Sequence, residues 1–61
     1  MPYSAEEKAK EARREVTYRQ FVYSRRLAAG TMREAEAKKK IAIMTEIAED
    51  YDKLAEKERL L

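Results

Sequence analysis

Four carboxylates crowd one stretch of the chain, Glu46, Glu49, Asp50 and Asp52, while two serines, Ser4 and Ser24, stand apart from them. Carboxylates suit a hard cation, but a calcium loop also needs a glycine at its sharp turn and a regular run of ligands. Neither is present around residue 50. A serine nucleophile needs a base within hydrogen-bond reach. The chain has no His and no Cys, which removes the commonest general base, the thiol nucleophile and the Cys/His zinc sites. Gly30 is the only glycine, too few for a glycine-rich phosphate loop. Ser4 is better explained as a helix cap and Ser24 as a polar surface position. The expectation is a chain that is not an enzyme, with no catalytic residue, no metal site and no cofactor.

Recognition is the chemistry that remains. Residues 17–42 carry Arg19, Arg25, Arg26, Arg33, Lys38, Lys39 and Lys40 against Glu34 and Glu36, seven basic and two acidic, a net of +5. Residues 43–61 carry three basic and six acidic side chains, a net of −3. The whole chain is +2. Tyr18 and Phe21 lie inside the basic stretch, and cations beside aromatic rings can hold a phosphate backbone and stack bases. An ordinary solvated helix surface has the same composition. Lys38, Lys39 and Lys40 cannot share one helical face, and Arg26 is positioned to pair with Glu34 across a hairpin. Nucleic-acid contact through these seven residues is therefore an alternative rather than the leading expectation, and a structural subunit of a larger assembly is the other alternative.

The elements that position these residues are punctuated clearly. Ser4-Ala5-Glu6-Glu7 reads as a capping box, in which the Ser4 hydroxyl accepts the Glu7 backbone N–H and the Glu7 carboxylate accepts that of Ser4. A helix then runs without a breaker from about residue 5 to 29. Gly30 suits the left-handed residue that ends a helix. Thr31-Met32-Arg33-Glu34 reads as a second capping box, opening a helix from about residue 32 to 59. So short a connection makes the helices antiparallel neighbours. The fold class expected is all-α, one domain over residues 1–61, a two-helix antiparallel hairpin.

Apolar spacing agrees. Ala5, Ala9, Ala12, Val16, Tyr23 and Leu27 form a stripe on the first helix. Ala37, Ile41, Met44, Ala48, Tyr51 and Ala55 repeat at four-and-three spacing on the second, flanked by Ile47 and Leu54. Folding back at Gly30 pairs residues whose numbers sum to about sixty. Tyr23 then faces Ala37, Val16 faces Met44, Ala12 faces Ala48 and Ala9 faces Tyr51, with large residues mostly opposite small ones.

The seam leaves apolar residues over. Phe21 lies roughly 140° from Val16 at 100° per residue, Tyr18 is nearly opposite it, and Val22 sits on the far flank. Ile43 and Leu60 fall outside the stripe of the second helix. Burying a large apolar side chain is worth about 1.5–3 kcal/mol, and one neighbour cannot cover all these faces. A chain of 61 residues with no Cys also lacks the disulfides and zinc that small domains use as staples. A homodimeric four-helix bundle is the expected remedy. The sharper expectation is a patch for a different protein, made by Tyr18, Phe21, Val22, Arg25 and Ile43.

No apolar run approaches the roughly 18 residues of a membrane span. Met1-Pro2-Tyr3-Ser4-Ala5-Glu6-Glu7 has neither the basic nor the apolar region of a signal peptide. No membrane association and a cytoplasmic location are expected.

The pattern Arg14-Glu15-Val16, Arg19-Gln20-Phe21-Val22-Tyr23, Gly30-Thr31-Met32, Ala35-Glu36-Ala37 and Ile41-Ala42-Ile43-Met44 with Ile47, Asp50 and Tyr51 resembles short uncharacterised helical proteins encoded by proteobacterial phages and prophages. The likeness covers roughly residues 13–52, mostly at core and turn positions. It implies a product made in a bacterial host cytoplasm that acts by seizing and modulating or inhibiting a host protein. It carries no catalytic residue with it.

Overall fold

The computed structural model describes residues 2–61; Met1 lies outside them. The chain forms two helices, α1 over Ala5–Ala28 and α2 over Glu34–Leu60, packed side by side as an antiparallel hairpin. The expected all-α hairpin is therefore what the chain adopts. It is a rod of 48 × 17 × 15 Å.

The start of α1 follows the expected chemistry. Ser4 is the N-cap in extended conformation, its hydroxyl accepts the Glu7 N–H at 3.1 Å, and Glu7 Oε1 accepts the Ser4 N–H at 3.2 Å. Two of the orphan amides at the helix start are satisfied reciprocally.

The turn differs from expectation in one respect. Gly30 has φ +75°, the left-handed conformation anticipated for it. The Gly30 N–H donates to the Leu27 carbonyl at 3.1 Å and the Thr31 N–H donates to the Arg26 carbonyl at 3.0 Å. These two bonds are the Schellman closure of a helix whose C-cap is Ala29. The Thr31 hydroxyl also donates to the Arg26 carbonyl, at 3.3 Å. Thr31 thus closes α1 instead of opening α2, and the expected second capping box does not form. The N-cap of α2 is Arg33, which offers no side-chain cap. An arginine has only donors, so it cannot accept an orphan amide.

The core sits along the seam and is made of small residues. Ala5, Ala9 and Ala12 of α1 and Ala37, Ala48 and Ala55 of α2 are buried, each 6% exposed or less. Among the described residues, no large side chain is fully buried. Val16, Tyr23, Ile41, Met44 and Tyr51 are half-buried, and Leu27 is exposed at 37%. The register close to sixty is visible in two contacts. The Arg19 guanidinium donates to the Lys40 carbonyl at 3.2 Å, and the Lys8 ammonium lies 5.5 Å from the centre of the Tyr51 ring. Methyl-sized residues allow the two backbones to approach closely, but each buried methyl contributes only about 0.8 kcal/mol. The fold is continuous and weakly cored.

Candidate functional site

A hairpin of two helices has two broad sides, and here they differ in chemistry. One carries a groove lined by Glu7, Lys8 and Glu11 of α1 with Met44, Ile47 and Tyr51 of α2. On α2, Ile43 precedes Ile47 by four residues and Leu54 follows it by seven, so all three share this stripe. On α1, Val22 lies eleven residues beyond Glu11, which brings it to the same side, whereas Tyr18, 64% exposed, is about 160° from Val16 and faces the outer edge of α1. Ile43, Ile47 and Leu54 are 47%, 38% and 45% exposed. Val22 and Met44 are half-buried. These side chains form one apolar strip along the rod.

The opposite side is polar from its middle toward the open end, while Tyr23, Leu27 and Ile41 line it nearer the turn. Arg13, Thr17, Thr45, Glu49 and Asp52 border it, and the Arg13 guanidinium pairs with the Asp52 carboxylate across the seam. Thr17 and Thr45 turn their hydroxyls back onto the carbonyls of Arg13 and Ile41, at 3.2 and 2.8 Å. Threonines satisfied by their own helix present little that seeks a partner.

The five residues expected to bind a partner are partly gathered. Val22 and Ile43 lie on the apolar side, and Tyr18 lies on the outer edge of α1. Arg25, seven residues beyond Tyr18, lies on the same edge of α1, with its guanidinium carbon 5.7 Å from the centre of the Phe21 ring. Phe21 itself is 63% exposed on the outer edge of α1. Val22 departs from the expectation of a fully outlying residue, because its position just off the seam leaves it half-covered. Ile47 and Leu54, expected as flanks of the seam, are exposed members of the strip. The four-and-seven spacing with Ile43 was the signal that they form a second stripe.

The basic residues are dispersed. Lys38 pairs with Glu34 at 3.1 Å, Lys40 with Glu36 at 3.8 Å and Arg19 with Glu15 at 3.0 Å. The expected Arg26–Glu34 pair does not form, because Glu34 is four residues from Lys38 on the same helix face. Arg26, Arg33 and Lys39 have no ion pair among the described residues, and they belong to three different segments: the end of α1, the loop and the outer face of α2. Among the described residues, no group of three or more carboxylates is placed to hold a metal ion, and no helix is long and apolar enough to cross a membrane.

The described residues offer a long apolar strip beside a cation-bearing aromatic edge. In comparisons with protein families, with curated proteins and with solved structures, the chain matches none.

Proposed function

We propose that the chain is a small protein-interaction module of the phage type, which docks on a host protein in the bacterial cytoplasm and modulates or inhibits it. One observation carries the docking: the hairpin buries six alanines and leaves Tyr18, Phe21, Ile43, Ile47 and Leu54 exposed. Exposed apolar and aromatic side chains on a small helical rod are the form in which helices engage protein grooves. The likeness of residues 13–52 to phage-encoded helical proteins supplies the host context. Phe21, Arg25 and Tyr18 form the contact edge on α1, with Val22 and Ile43 beside them. Aromatic and arginine side chains are the types that dominate binding energy at protein interfaces.

Capture from a bacterial lysate with and without nuclease, followed by mass spectrometry, tests this. The expected result is a protein partner retained after nuclease and lost with Phe21→Ala. Affinity for that partner should change little with salt. A complex that vanishes with nuclease, or weakens log-linearly and steeply with salt, would replace this function with nucleic-acid binding.

A further inference from the structure

We propose that the apolar side of the hairpin seats a second copy of this chain, face to face and antiparallel, so that the turn end of each copy covers the open end of the other. The inference rests on reading the hairpin as an interaction module. It assigns Val22, Ile43, Met44, Ile47 and Leu54 to self-association and leaves Phe21 and Arg25 on the outer edge for another protein.

Area is the first argument. A compact monomer of 7.2 kDa exposes about 4,100 Å² by area–mass scaling. The hairpin exposes 5218 Å², an excess of about 1,100 Å². A stable interface buries about 800 Å² per partner, and a face of 48 by 17 Å spans about that area. One copy of this chain has the length and shape to cover the strip completely, and covering it removes the excess.

Charge selects the orientation. The turn half, residues 17–42, is +5. The open half is −3, because residues 1–16 carry four basic and four acidic side chains and residues 43–61 contribute the −3. A parallel pair would lay +5 on +5, whereas an antiparallel pair lays +5 on −3 at both ends. Like charges brought together at an interface disfavour the parallel form.

Symmetry then fixes the contacts. Face-to-face stacking with opposed ends requires a two-fold axis across the width of the rod, which sets α1 on α1 and α2 on α2 of the second copy. The parallel form would set α1 on α2. Ile47 lies near the middle of the rod on the apolar strip, so in the antiparallel form it meets its own counterpart. Leu54 lies one heptad away, about 10 Å along the helix, and its counterpart is about twice that distance from it.

The chain has no cysteine, so a single introduced thiol reports directly. Sedimentation equilibrium of the wild-type chain should give twice the monomer mass. Oxidised Ile47→Cys should run as a covalent dimer on a non-reducing gel, and oxidised Leu54→Cys should remain largely monomeric. A wild-type monomer at micromolar concentrations would overturn the inference. If that monomer still captured a lysate protein through Phe21, the interaction module would stand without self-association. A wild-type dimer in which Leu54→Cys cross-links and Ile47→Cys does not would overturn the antiparallel arrangement. A dimeric mass with neither variant cross-linking would move the interface off this strip and would overturn it too.

Discussion

Phe21 and Gly30 mark two kinds of residue in this chain, one exposed away from the seam and one required by the backbone. Phe21 is 63% exposed, with the Arg25 guanidinium carbon 5.7 Å from the centre of its ring. Its replacement by Ala should shift folding stability by no more than about 0.5 kcal/mol, as for other exposed sites, while abolishing partner capture. A melt and a capture assay on the same preparation separate the two effects. Gly30 is the opposite case. A Cβ there would meet nothing within 4 Å, so the cost of Gly30→Ala comes from the left-handed φ alone, about 1–2 kcal/mol. Chemical denaturation should show it, with Gly30→Asn less affected. Both residues were legible in the sequence, Gly30 because it is the only glycine between two helical patterns and Phe21 because it lies off the stripe. Thr31 was not. A threonine three residues before a glutamate fits a capping box, but the Schellman closure after Gly30 takes the Thr31 N–H and hydroxyl onto the Arg26 carbonyl. Which of two local motifs takes a shared residue depends on the path of the turn, and spacing alone does not contain it.

At the scale of the element, α1 and α2 begin unequally. Reciprocal Ser4–Glu7 bonds hold the first turn of α1. The first turn of α2 follows an arginine that cannot accept an amide. Arg33→Ser would place an accepting hydroxyl at the N-cap, with Glu36 at the third helical position to complete a capping box. The expected gain is about 0.5–2 kcal/mol, read as a higher melting temperature at fixed protein concentration. Thr31→Ala, in contrast, should cost less than a lost N-cap does, because the carbonyl it contacts already accepts a backbone N–H. The extent of both helices and their antiparallel packing were legible from the apolar period and the single glycine. The identity of the exposed strip was only half legible. Ile47 and Leu54 flank the seam in sequence, and how far they clear it depends on how closely the alanines let the helices approach.

For the whole molecule, assembly and packing meet in the seam. If the strip pairs with a second copy, the melting temperature should rise with protein concentration, because only the folded dimer is favoured by mass action. Calorimetry over a hundredfold range of concentration reads this directly, and a constant melt would exclude it. The alanine seam also makes Ala48→Leu a severe change. Ala48 is 4% exposed at the close approach of the helices, and overpacking there should cost about 1–3 kcal/mol. The same seam sets which variants survive selection. Most proteins restrict change at their largest buried residues. Here the restricted sites are the smallest ones, Ala9, Ala12, Ala37, Ala48 and Ala55, where any side chain beyond Ser or Gly wedges the rod apart. Val16, Met44 and the other half-covered large residues can exchange among apolar types. A saturation library sorted for folding should therefore show its narrowest choices at alanine, and the lineage of such a chain would drift in its large residues around a fixed set of methyl groups.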